Sequence, residues 1–292
     1  MPPPRYSCAV YISTGLSSIA ARAAAAAAAI PAVAVVDTFT DVQYARSSVK
    51  LVAEPGALLL GAQAAAAVAL KEVDLSQQPH PAPHPRQGSV DMISFMPLSE
   101  QRASAIQDQL QECDDLAWKL GSELGSLGCP VLLYGKRAGR SLVETRKGTS
   151  FFRSTKASTP REATAELPLD FPAAAAAASL PQRTGVTIVG VQPYVTNFNI
   201  CVVGATLDEC RAAASAVRAT FSVQVMALPH SSGTHEIGCN LQASEAEDSP
   251  DRQAVLDVVA AALPTAASIQ HSYVIGLTPG EASVKAAEAL GS

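Results

Sequence analysis

The residues of this chain best suited to chemistry stand together as His84-Pro85-Arg86-Gln87-Gly88-Ser89-Val90-Asp91. An imidazole titrates near neutrality and can take up and give back a proton. A guanidinium two positions on offers a fork of N–H donors that matches a carboxylate. Pro85 sets one backbone angle on the near side, and Gly88 permits an unusual turn beyond. The apolar stretch Met92-Ile93-Ser94-Phe95-Met96-Pro97-Leu98 that follows reads as a strand, which fixes both groups at the mouth of a sheet. Taken singly, these residues have blander assignments. His84 suits a solvated loop, and Arg46 and Arg86 suit surface ion pairs worth under about 1 kcal/mol.

Other chemistries find little support. Cys8, Cys113, Cys129, Cys201, Cys210 and Cys239 are scattered with no C-x-x-C pair, so reduced and mostly buried thiols are expected, without a metal. His235-Glu236 lacks the second histidine of a zinc helix. A net charge of -5 with no basic stripe argues against nucleic acid and anionic membranes. The 48% hydrophobic and 16% charged content over 292 residues describes a globular chain of one large or two ordinary domains. No basic region leads into an apolar core at the start, so no secretory peptide is expected. The cytoplasm is the expected compartment, with an organelle as the alternative. The alanine runs 23–29 and 173–178 are too short to cross a bilayer, which takes roughly 20 apolar residues.

Periodicity and punctuation place the elements around this loop. Strands are expected at 6–12, 33–36, 47–52, 92–98 and 130–135, with helices at 17–29, 56–71 and 99–127. Prolines in 76–88 forbid regular helix there. From 136 to 184 the pattern dissolves into basic residues, prolines and alanines, which marks a boundary. Val186–Val191 is read as the start of a second unit. It continues with a strand at 194–203, a helix at 207–219, a hairpin of 223–228 with 235–241, a helix at 251–263 and a closing strand at 268–274. His80 is expected to be solvated, and His230 and His235 to belong to the hairpin. The fold class is α/β (α+β type): two α/β sandwich subdomains, each a mixed sheet with helices on one face. The expected division is 5–150, a linker or insertion at 151–183, and 184–290.

In order and separation, His84-Pro85-Arg86-x-Gly88, Phe95-x-Pro97 and Leu133-Tyr134-Gly135 resemble the N-terminal subdomain of glutamate formiminotransferase. Asn197-Phe198-Asn199 and Cys239-Asn240-Leu241 resemble that family's C-terminal subdomain. The resemblance covers nearly the whole chain and is nearest a plant-type formiminotransferase-like branch, through Val10-Tyr11-Ile12-Ser13, Phe39 with Asp41, Tyr44 with Arg46, Met226-Ala227-Leu228 and His230.

The resemblance implies transfer of a formimino group from N-formimino-L-glutamate to N5 of tetrahydrofolate, held in a groove between the subdomains. It assigns catalysis to His84. Arg46, Arg86, Gly88, Asn197, Asn199 and Asn240 become the substrate- and folate-binding residues, although Asn197 and Asn199 suit the end of a strand almost equally. Tetrahydrofolate is the co-substrate and no metal is implied. The expected partners are the folate and a glutamate-derived donor, with a homodimer as an option. No cyclodeaminase module is expected. Thr14, Phe39 and Pro83 stand where active members carry acidic residues. A catalytically degenerate member acting as a folate-binding or structural subunit is therefore the alternative.

Overall fold

The computed structural model describes residues 5–78, 80, 82, 84–98, 107–149, 167–173, 182–243 and 248–291. Its contacts separate two units. The first comprises the chain up to Leu98, Asp108–Gln192 and the stretch from Ala282, and the second includes Pro193–Glu281.

The first unit runs β1 (Tyr6–Ile12), α1 (Ser17–Ala28), β2 (Ala34–Asp41), β3 (Arg46–Ala53), α2 (Pro55–Glu72), β4 (Val90–Pro97), α3 (Gln107–Ser126), β5 (Val131–Tyr134), α4 (Leu142–Lys147) and β6 (Thr187–Val191). Its six strands lie in the order β2-β3-β1-β4-β6-β5. The pairings among the first four strands are antiparallel, and β4-β6 and β6-β5 are parallel. Tyr6, Cys8, Val10 and Ile12 of β1 share one face with Val49 and Leu51 of β3 and Ile93 and Phe95 of β4. They meet the alanines of α1 and α2 and the leucines of α3 in one core. Alanine is the best helix former and adds little bulk, so α1 and α2 can lie close to the sheet. Burying one large side chain such as Phe95 contributes about 1.5–3 kcal/mol.

Strand alternation turns Ser7, Ala9 and Tyr11, Arg46, Ser48 and Lys50, and Met92, Ser94 and Met96 to the opposite face. That face mixes the polar Ser7, Arg46, Ser48, Lys50 and Ser94 with Tyr11 and two methionines.

The second unit runs β7 (Thr196–Val203), α5 (Leu207–Thr220), β8 (Gln224–Pro229), a 3-10 turn (Ser231–Gly233), β9 (His235–Leu241), α6 (Arg252–Ala262) and β10 (Ser268–Ile275). Its order is β10-β7-β9-β8, antiparallel throughout. This βαββαβ path, with its first strand at the centre, is the ferredoxin-like split βαβ arrangement. The segment from β1 to β4 follows the same path with the same strand order. The chain thus uses one topology twice and extends the first copy with β6 and β5.

Some elements differ from the sequence reading. Val186–Val191 does not open the second unit: β6 pairs in parallel between β4 and β5. Its Thr-Ile-Val-Gly-Val run is buried throughout, as befits an interior parallel strand covered on both faces. The stretch after Lys136 contains α4, whose Ser141 and Glu144 exchange capping bonds. The chain also ends in α7 (Pro279–Leu290), where Thr278 and Glu281 exchange bonds of the same kind. The first part of the helix expected at 99–127, most of the 151–183 segment and most of the second alanine run lie outside the described residues. All six cysteines are buried and none forms a disulfide.

Candidate functional site

The loop between α2 and β4 is tied down on both sides before it presents His84. Ser89 Oγ donates to Val73 O at 2.7 Å, and Ser89 N to Thr184 O at 2.8 Å. Arg86 reaches back along its own loop, Nη2 donating to Gln78 O at 2.9 Å. At Gly88 the backbone passes so close to β6 that a Cβ would stand 2.3 Å from Val186 O and 2.6 Å from Val90 O. The glycine is required by this close approach.

Asp91, fully buried beside the first residue of β4, organises the turn. Its Oδ1 accepts from Gln87 N at 2.9 Å, and its Oδ2 accepts from Arg46 Nη2 at 2.9 Å. Burial raises the Asp91 carboxyl, but Arg46, Arg146 and the Gln87 N–H together outweigh it and hold the group below the usual carboxylate range. Arg46 opens β3 and follows a tight hairpin in which Tyr44 N donates to Asp41 Oδ1 at 2.8 Å. Its second guanidinium nitrogen, Nη1, donates to Pro85 O at 3.3 Å.

The same carbonyl settles the state of His84, whose Nδ1 lies 2.8 Å from Pro85 O. A carbonyl oxygen can only accept, so the proton sits on Nδ1 and the lone pair on Nε2. Burial first, and the Arg46 charge second, push the His84 pKa down to about 3. The ring is therefore a neutral imidazole across the physiological range, with Tyr44 packed 5.6 Å away at a tilt of 52°. His80, half-buried rather than solvated, donates from Nε2 to His84 O at 2.5 Å.

Further side chains complete the polar face. Arg146, near the end of α4, donates to Met92 Sδ at 3.5 Å, and Tyr134 donates to Ser94 Oγ at 2.8 Å. Lys50 is 1% exposed and stands opposite Asp37 in the β2–β3 register. Burial lowers its pKa to about 8, against the opposing pull of Asp37.

In the second unit, Phe198, Ile200, Ile237 and Cys239 pack in its core, which turns the intervening residues to the other face. There Asn197 Nδ2 donates to Asn240 Oδ1 at 2.8 Å and Asn240 Nδ2 to Gln224 Oε1 at 3.3 Å, an amide ladder across three strands. Asn199 Nδ2 donates to Glu236 Oε2 at 2.9 Å, and Tyr273 OH to Glu236 Oε1 at 2.6 Å.

These features meet a consistent set of relatives. The formiminotransferase domain, N-terminal subdomain, matches residues 5–192. This chain belongs to the formiminotransferase family. It is similar to a formiminotransferase cyclodeaminase-like protein of Arabidopsis thaliana, with 29% identity over 80% of each chain. A glutamate formimidoyltransferase of Thermoplasma acidophilum is 26% identical over 65% of this chain and 59% of its own length. A formimidoyltransferase-cyclodeaminase of Gallus gallus is 28% identical over 58% of this chain and 29% of its own length.

Within this formiminotransferase-family chain, the sequence-derived residues fall into two groups, one in each unit. Arg46 and His84 meet at Pro85 O, with Arg86 and Gly88 in the same loop. Asn197, Asn199 and Asn240 share one sheet face. Thr14 uses its hydroxyl to accept from Leu16 N at 3.1 Å, Phe39 lies half-buried in β2, and Pro83 is outside the described residues. Sequence reasoning gave no role to Asp91, Arg146, Glu236 or Tyr273. Asp91 carried a usable signal: a lone acidic residue inside a mostly apolar strand must find partners.

Proposed function

We propose that this protein binds a reduced folate and moves a formimino group from N-formimino-L-glutamate to N5 of tetrahydrofolate, releasing glutamate. His84 serves as the acid/base. Its Nε2 takes the proton that N5 loses as the new N–C bond forms at the amidine carbon. It returns that proton to the glutamate nitrogen as the old C–N bond breaks. Such catalysis typically contributes about a hundred- to ten-thousandfold in rate. Arg46 and Arg86 anchor carboxylates, with Gly88 keeping the loop closed on itself. Asn197, Asn199 and Asn240 offer amide edges to the pterin, whose own edge carries donors and acceptors.

The observation that carries this reading is the pinned imidazole: Nδ1–H on Pro85 O leaves Nε2 as the proton-accepting nitrogen of the family-like His-Pro-Arg motif. A second reading, a member that holds a folate without turning it over, is favoured by the charge beside that ring. Arg46 shares the carbonyl used by His84, and its charge opposes protonation of the imidazole.

Two assays separate the readings. Tetrahydrofolate at a hundred times its dissociation constant should stabilise the protein by about 2.7 kcal/mol. Formimino transfer should be measurable in the wild type and lost in His84→Ala. Stabilisation without turnover in either protein supports the second reading, and no stabilisation by any reduced folate defeats both.

A further inference from the structure

Asp91, Arg46 and the Pro85 carbonyl form a continuous chain that ends on the imidazole. Asp91 Oδ2 holds Arg46 Nη2, Arg46 Nη1 holds Pro85 O, and Pro85 O holds His84 Nδ1. The same aspartate closes a second path, because its Oδ1 accepts from Gln87 N, two residues beyond Pro85. The peptide plane that carries Pro85 O is thus gripped from the Arg46 side and from its own downstream backbone, with one carboxylate behind both grips. We propose that Asp91 is a positioning residue that fixes the Nδ1–H tautomer of His84 by aiming the Pro85 carbonyl through Arg46.

This inference rests on the reading of His84 as the proton acceptor for its purpose, but not for its geometry. A proton-accepting histidine needs its lone pair on the nitrogen that faces the substrate, and that is set by the bond its other nitrogen makes. In many sites a carboxylate touches the ring directly. Here the carboxylate acts at one remove, and the atom touching the ring is a main-chain oxygen. Side chains cannot replace that oxygen, so control passes to whatever orients the peptide plane. A buried carboxylate–guanidinium pair suits this task, because its bonds are directional and Arg46 is only 12% exposed.

The test is ring-nitrogen NMR on 15N-histidine-labelled full chain. The five histidines are assigned by loss of the His84 signals in a His84→Asn control. The wild type should show Nδ1 protonated and Nε2 unprotonated at neutral pH. Asp91→Asn keeps an acceptor for Gln87 N but puts an amide against Arg46. The ratio of Nδ1–H to Nε2–H forms should fall about tenfold, the preference that one hydrogen bond confers. Arg46→Gln breaks the chain at its middle link and should produce the same mixing, so the test survives if one variant fails to fold. A merely structural Asp91 would lower the melting temperature and leave the tautomer alone. An unchanged tautomer in folded variants, or an Nε2–H ring in the wild type, overturns the proposal. Folate binding by the wild type is read separately by thermal shift, so the function can fail while this relay stands, and the reverse.

Discussion

Replacing His84 with asparagine should remove a defined part of the pH dependence of stability. In the folded protein, burial and Arg46 hold the ring pKa at about 3, against 6.5 for a free imidazole. Between those values the unfolded chain binds a proton that the folded chain excludes. The stability tied to this neutral ring is therefore fully present above pH 6.5 and is lost as pH falls toward 3. The slope inside that window approaches ~1.4 kcal/mol per pH unit. From pH 7.5 to 5.5 the unfolded ring passes from about one-tenth to about nine-tenths protonated, which integrates to ~1.4 kcal/mol. Urea unfolding of wild type and His84→Asn at the two pH values, at fixed ionic strength, measures it. The wild type should lose ~1.4 kcal/mol more than the variant. His80, whose pKa is also lowered by burial, is present in both proteins and cancels. Equal losses would mean that His84 protonates freely in the fold, and the picture of a buried ring beside a guanidinium would be wrong.

Two further substitutions test the surroundings. Gly88→Ala drives a methyl group to within 2.3 Å of Val186 O and 2.6 Å of Val90 O, both main-chain atoms that cannot step aside. It should cost about 1–3 kcal/mol or more in urea unfolding, whereas Gly56→Ala, with nothing near its Cβ, should cost nothing measurable. In the second unit, Glu236→Leu removes the acceptor that the buried Asn199 amide uses. It should destabilise by about 1–3 kcal/mol through that stranded amide, and adding Asn199→Leu should recover part of that loss.

The strands and helices that build the cores were legible because their signals are local. The β-prone residues of Tyr6–Ile12 and the alanine-rich run at 17–28 each state a preference that needs no distant partner. The His84 loop was legible for the same reason, since proline and glycine speak for their own backbones. What stayed hidden is long-range pairing. Arg46 and Asp91 are 45 residues apart, and nothing in either neighbourhood says that they meet. Thr187–Val191 was recognisable as a strand, but its sheet is decided by partners in β4 and β5. Its near-continuous apolar run, Val186-Thr187-Ile188-Val189-Gly190-Val191, was the available clue, because a strand covered on both faces belongs inside a parallel sheet. Arg146 was missed because α4 is short and sits where composition points to irregular chain.

The return of the chain through α7 has a practical corollary for anyone dissecting this protein. Gln192 looks like a natural place to cut, yet Ala282 and Ala286 are fully buried and belong to the first unit, and Lys285 Nζ donates to Val36 O of β2. Strand β2 is the outermost of its sheet, the position most prone to recruiting foreign strands when it loses its cover. A fragment ending at Gln192 would shed the helix whose lysine reaches that margin. Aggregation of such a fragment would report the missing tail, and joining 282–292 back by a short flexible linker should restore it.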